Sequence, residues 1–261
     1  MPHPSASGTD GGSVQGPMRL GILSDIHANV EALVEVEAAL ARTPVDRVIC
    51  LGDVVGYGAS PNACCERIRD IASITLLGNH DAAVSGRMDY AYYYEAARHA
   101  LDWTARELDP DHLVWLRSLP YTHRVDDVAF CHGSPILPGE YEYVFALEQA
   151  RDLVPHFARL APVTFIGHSH LCKAFAYDRS GEVSEVNGQR LELDTERKYV
   201  VSVGSVGQPR DYDNRACFVT YDTDARVVEY RRVAYDIEAA AQRIFDADLA
   251  MNFGKRLFLG V

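Results

Sequence analysis

The chain is 261 residues long, with 48% hydrophobic and 24% charged residues, a balance that excludes wholesale disorder and leaves enough apolar side chain for a sizeable core. Its 37 acidic and 25 basic residues give a net charge of -12, which opposes nonspecific attraction to nucleic acid or to anionic membrane. A phosphate-bearing partner therefore requires a local positive centre.

Residues 1–17 consist largely of Pro, Ser, Gly and Thr with almost nothing to bury, and predict a disordered tail. From Met18 the pattern alternates. An apolar run at 19–24 predicts a strand, the alanines and leucines of 31–42 a helix, 46–52 a strand, 60–71 a helix, and 73–77 a strand. Residues 90–119 are helical and aromatic, interrupted near the middle by Pro110, and predict two helices. Past Pro120, short apolar runs at 128–131, 163–166, 200–203, 217–221 and 227–233 predict strands, and 236–250 a last helix. Sheets with crossover helices in one domain over 18–261 fit this order. No apolar run approaches the roughly 18 to 20 residues that span a bilayer, and the amino terminus lacks a basic segment followed by an apolar one. A soluble, cytoplasmic protein with no membrane partner is expected. The six cysteines, Cys50, Cys64, Cys65, Cys131, Cys172 and Cys217, lack paired metal-type spacing and read as reduced core thiols.

Five segments hold metal-type side chains, each after an apolar run: Asp25 and His27, Asp53, Asn79 with His80 and Asp81, His132, and His168 with His170. Strand ends would bring them to one rim of a sheet. Carboxylate, imidazole and amide oxygen suit borderline divalent ions, and so many ligands require two. Glycines 52, 78, 133 and 167 beside most of these residues would let the backbone approach the ions. In Asp25-Ile26-His27 and His168-Ser169-His170, an extended backbone would turn both end residues to one side.

This ordered set of D-x-H, G-D, G-N-H-D, a single H-G and G-H-x-H resembles the calcineurin-like metallophosphoesterases. The resemblance covers about residues 18–235, with Cys131 standing where the fourth element usually has glycine. It implies an α/β fold, a two-sheet β-sandwich flanked by helices in four layers, here with residues 88–119 as a helical insert or cap. It implies that Asp25, His27 and His170 hold one ion and Asn79, His132 and His168 the other, with Asp53 bridging and His80 as the catalytic imidazole. Two divalent ions are expected as cofactors, manganese foremost, with iron, zinc, cobalt and nickel as alternatives.

The expected reaction is attack on a small phosphodiester or phosphomonoester by a hydroxide between the ions, with His80 as general acid. A scaffold or regulatory binding module on the same fold is the competing class; its mark would be a missing ligand or a missing His80, and neither is missing. The charge of -12 disfavours a nucleic-acid polymer. The tyrosines of the insert, Tyr92 and Tyr93 among them, could stack on a base or aryl group, which makes a nucleotide a candidate substrate. His99 and Arg210 are the other candidate substrate contacts. Exposed tyrosines on a helical insert would also suit a homodimer contact. The segment 202–210 (SVGSVGQPR) looks like the N-P-G-S element of smaller bacterial and archaeal members, with Ser202 and Val203 in place of Asn and Pro, and suggests Gly204, Ser205 and Arg210 as phosphate contacts.

Overall fold

A computed structural model describes residues 18–261; the expected tail at 1–17 lies outside the described residues. The first half runs β1 (Arg19–Leu23), α1 (Val30–Ala41), β2 (Arg47–Cys50), α2 (Pro61–Ile71), β3 (Ile74–Thr75), α3 (Asn79–Val84), α4 (Glu95–Glu107) and α5 (Pro110–Ser118). The second half runs β4 (Thr122–Val125), β5 (Val128–Cys131), α6 (Leu147–Asp152), β6 (Val163–Ile166), β7 (Cys172–Tyr177), β8 (Val183–Val186), β9 (Arg190–Glu192), β10 (Lys198–Val203), β11 (Ala216–Asp222), β12 (Val227–Val233), α7 (Ile237–Asp246) and α8 (Met251–Leu259).

These strands form two six-stranded sheets, ordered β3-β2-β1-β11-β12-β9 and β4-β5-β6-β10-β7-β8. The two-residue alternation of each strand divides its side chains between two cores. Leu20 and Ile22 of β1 meet Phe130, Phe165, Val201 and Val203 between the sheets, while Leu23 and Cys50 face outward onto Ala32, Leu33, Val36 and Leu40 of α1. Gly21 leaves room for that helix, since a Cβ there would stand 2.8 Å from the Leu40 side chain. The outer face of the second sheet packs Phe175, Tyr177 and Val200 under Ala150 and Leu153. Layers of helix, sheet, sheet and helix result, as the resemblance implied.

Two stretches depart from expectation. The last helix stops at Asp246 instead of reaching 250; Asp248 takes φ 54°, and the chain returns as α8. The return is close because residue 254 is glycine: a Cβ there would come within 2.5 Å of the Phe245 ring. The second half also contains β4, β7, β8 and β9, absent from the expected set; β4 is a four-residue edge strand with exposed and half-buried positions, too short and polar to stand out by pattern. The insert does form two helices, with Pro110 opening the second, where its missing N–H costs nothing. Among the described residues, no helix is long and apolar enough to cross a membrane.

Candidate metal centre

In one sheet β1, β2 and β3 run parallel, and in the other β5, β6 and β10 do. The carboxyl ends of all six open on one rim, where side chains from distant parts of the chain can converge. Asp25 and His27 follow β1, Asp53 follows β2, and Asn79 and His80 open α3 after β3. His132 follows β5, and His168 and His170 follow β6. All seven expected ligands and His80 are buried. All of them but Asn79 fall into three mutually close groups, Asp25 with His27 and His170, His27 with Asp53 and His80, and Asp53 with His132 and His168.

Both aspartates have one oxygen pinned by a backbone N–H and the other turned to the imidazoles. Asp25 Oδ2 accepts from the His168 N–H at 3.0 Å, while its buried Oδ1 has no hydrogen-bond partner and lies 3.2 Å from His170 Nε2. Asp53 Oδ1 accepts from the His80 N–H at 2.8 Å, while Oδ2 lies 3.3 Å from His132 Nε2 and 3.7 Å from His27 Nε2. Glycine is required beside both: a Cβ at residue 78 would stand 2.1 Å from Asp53 Oδ1, and one at residue 167 would stand 2.0 Å from Ser24 Oγ.

The imidazoles are oriented from behind. His27, His132 and His170 donate through Nδ1 to the carbonyls of Val55 at 3.3 Å, Leu51 at 3.0 Å and Gln208 at 2.5 Å. In the neutral ring that tautomer leaves each Nε2 as a bare lone pair. His27 Nε2 and His170 Nε2 then face each other at 3.0 Å. His132 Nε2 faces Asn79 Oδ1 at 3.2 Å, the amide being set by its donation to the Tyr93 hydroxyl at 2.9 Å. Acceptor against acceptor in a buried site is unfavourable unless a cation or proton lies between them, so these residues fit divalent ions.

The route to this convergence differs from the extended backbone expected. Asp25, His27, Asp53, His168 and His170 all have φ between 48° and 64°, a left-handed conformation that costs non-glycine residues on the order of 1 to 3 kcal/mol each and that clusters at functional sites. Tight turns, rather than strand alternation, aim the paired side chains.

Burial works against charge throughout. It pushes the His80 imidazole down to about 4 and that of His168 to about 3, although the Asp53 charge opposes it in both. Burial also disfavours ionised Asp53, but the imidazoles of His132, His80 and His27 together hold its carboxyl well below the usual range. At His132 the charge and hydrogen bond of Asp53 outweigh burial and raise the imidazole to about 9, so a proton competes for the position an ion would take. Asp81, pushed up to about 7 by burial and by Asp53, accepts the N–H groups of Val55 at 3.2 Å and Gly78 at 3.1 Å. It caps α3 and ties it to the loop after β2, a structural use.

Above these residues opens a cavity of about 410 Å³ whose lining includes Tyr57, Tyr92, Tyr93, Tyr94, Tyr141, Tyr143 and Arg210. Tyr143 stacks on His168 with centroids 3.8 Å apart, and Tyr57 packs 4.3 Å from the His80 ring. Arg210 is the one cation of permanent charge in that lining; its Nη2 donates to Gln208 Oε1 at 2.8 Å, and its buried Nε has no partner. Of the candidate substrate contacts, Tyr92, Tyr93 and Arg210 line this cavity, but His99 is exposed on α4 and is not part of the lining, because its helical position turns it outward while Ala97 and Ala100 face in. Ser205 also differs: it is fully buried and its hydroxyl donates to the Asp25 carbonyl at 2.8 Å, bracing the turn. Tyr57, Tyr141 and Tyr143 escaped the sequence reading; the one local signal was the glycine on either side of Tyr57.

Known proteins extend the likeness over most of the chain. Residues 18–226 match the calcineurin-like phosphoesterase superfamily domain. An uncharacterized protein of Methanocaldococcus jannaschii is 36% identical over 245 residues, spanning 92% of this chain and 98% of its own. The crystal structure of a metallophosphoesterase from Sphaerobacter thermophilus superposes with a TM-score of 0.80 at 35% identity, covering 94% of this chain and all of that one. A hypothetical protein from Pyrococcus horikoshii shares the fold, with a TM-score of 0.75 at 17% identity, covering 93% of this chain and 98% of that one. With the family's ordered motifs meeting at one rim and its domain matched over most of the length, this chain belongs to the calcineurin-like phosphoesterase superfamily.

Proposed function

We propose that the protein is a dinuclear metal-dependent phosphoesterase acting on a small phosphodiester or phosphomonoester. The supporting observation is Asp53 Oδ2, which lies within 3.7 Å of His27 Nε2 on one side and 3.3 Å of His132 Nε2 on the other. A carboxylate so placed would be shared by two ions, which supports this reading. Asp25, His27 and His170 would hold one ion, Asn79, His132 and His168 the other. Two divalent ions there, manganese foremost, supply Lewis acidity and water of lowered pKa, and their charge draws phosphate into an otherwise acidic chain.

The remaining steps belong to the protein. Arg210, in the cavity lining, presents its guanidinium to a phosphoryl oxygen. His80, braced between Tyr57 and His27, delivers a proton to the leaving oxygen. Its ring is neutral at rest, with its pKa lowered to about 4 by burial; the negative charge of a phosphate brought beside it favours uptake of a proton from solvent, which the ring then passes to the leaving oxygen. The tyrosine walls suit an aryl group or a nucleobase on the ester, which supports a nucleotide as substrate.

The test is turnover of an aryl phosphodiester, an aryl phosphomonoester and a panel of nucleotides by metal-stripped protein resupplied with manganese, iron, zinc, cobalt or nickel. Hydrolysis that depends on the added ion is expected. A folded sample inactive with every ion and every ester overturns the reading.

A further inference from the structure

Both sheets bring cysteines to the rim that carries the aspartates and histidines, and one from each sheet meet there. Cys172 opens β7, two residues past His170, and Cys217 lies in β11 of the facing sheet. Their Sγ atoms are 3.4 Å apart, and this is the one thiol-to-thiol contact of hydrogen-bonding length among the described residues. Cys172 is half-buried and Cys217 enclosed. Arg232 of β12 donates to Cys172 Sγ at 3.0 Å and is itself paired with Asp211. A second sulfur in contact with a half-buried one is the arrangement of a resolving cysteine beside a sulfur that oxidises.

The pair is wired to the candidate metal centre through segment 204–211. Gly204, with φ 77°, passes directly over both sulfurs; a Cβ there would stand 2.8 Å from Cys172 Sγ and 3.2 Å from Cys217 Sγ. The Cys217 N–H donates to the Ser205 carbonyl at 2.8 Å, and the Ser205 hydroxyl donates to the Asp25 carbonyl at 2.8 Å. Three residues on, the Gln208 carbonyl orients the His170 ring.

We propose that Cys172 and Cys217 form an oxidisable pair that closes to an inter-sheet disulfide under a two-electron oxidant such as a peroxide, and that the closed form weakens the hold of Asp25 and His170 on a divalent ion. In the first step the Cys172 sulfur takes one peroxide oxygen, the O–O bond breaks, and the thiol proton leaves with the other oxygen as water. In the second the Cys217 sulfur displaces the sulfenic hydroxyl, whose departure with the second thiol proton gives another water. The two sulfurs have then supplied the two electrons. Closure to an S–S bond of about 2.05 Å draws them together by about 1.3 Å, and segment 204–211 must follow. The second half of the proposal rests on the proposed function.

The experiment treats reduced, metal-free full-length protein with equimolar hydrogen peroxide and reads two quantities. Peptide mass mapping is expected to show Cys172 joined to Cys217 while Cys50, Cys64, Cys65 and Cys131 remain open to alkylation after unfolding. Equilibrium dialysis against manganese is expected to show affinity lower by about 10- to 100-fold, the usual consequence of disturbing a ligand's supporting partner, restored by dithiothreitol. Cys217→Ala and, independently, Cys172→Ser should each abolish the link and the reversible loss. Peroxide that leaves the two thiols unlinked overturns the proposal, as does a linked form with unchanged manganese affinity. Reduced protein that takes up no divalent ion overturns both the coupling and the proposed function, and the mass map alone then decides whether the disulfide forms.

Discussion

At the floor of the cavity Asp25, Asp53, His132 and His170 are each fixed by a backbone N–H or carbonyl, whereas at its mouth Tyr92 and Tyr143 are 75% and 45% exposed and meet their neighbours through ring contacts. The floor stands on the ends of parallel strands, with left-handed turns and glycines leaving no spare volume. The wall comes from the segment before α4 and from the stretch between β5 and α6. Chemistry that depends on an ion's position within tenths of an ångström belongs on the first; recognition of esters of varied shape can be left to the second.

If that division is right, substitutions should fall in a graded series. Asp53→Asn removes the carboxylate shared by both clusters and should lower kcat by about 10⁴-fold or more, several kcal/mol of transition-state stabilisation, with loss of bound ion by elemental analysis. His80→Ala should cut kcat by about 10² to 10⁴ while metal content stays intact; loss of the ion would instead place His80 among the ligands. Arg210→Met should raise KM for a phosphate ester by roughly 10- to 100-fold, the value of one charge-assisted hydrogen bond, with a smaller effect on kcat. A KM that does not move would remove Arg210 from the binding surface.

Acidity offers a further test of the floor. His132 carries a proton up to about pH 9 in the absence of an ion, and ligation requires the neutral ring, so ion uptake at neutral pH expels that proton. Manganese affinity should therefore rise with pH, roughly tenfold per unit between pH 7 and 8, levelling near pH 9. His80 and His168, lowered to about 4 and 3, are already neutral there and add nothing to the slope. The smallest effect belongs to the wall: Tyr143→Ala should weaken an aryl ester by about 2- to 10-fold in kcat/KM relative to an alkyl ester, the scale of one aromatic contact. Equal losses on both esters would assign Tyr143 to holding His168 instead.

Much of the floor was legible before any coordinates, because Asp25, His27, Asp53, Asn79, His80, His132, His168 and His170 sit in short motifs at the ends of recognisable apolar runs. The wall was legible only in part. Tyr92 and Tyr93 stood out as a run, but Tyr141 and Tyr143 reach the cavity by a turn at Tyr141 with φ 53°, and nothing in the local pattern signals where such a turn aims. His99 illustrates the converse: proximity to the tyrosines in sequence did not bring it to the cavity, since one turn of α4 faces it outward. The break between α7 and α8 was hidden too, as it depends on Gly254 meeting Phe245.

By itself, then, the sequence determined the alternation of strands and helices in the first half and five strands of the second, the family and the identities of the candidate ligands, since period-two and helical patterning and the chemistry of side chains are local properties. Only the tertiary structure decided which oxygen of Asp53 faces both imidazole clusters, that Asp81 caps α3, and that Cys172 and Cys217 touch across the sandwich. Each of these depends on where separate strands end relative to one another, and that is set by the packing of the two sheets as a whole.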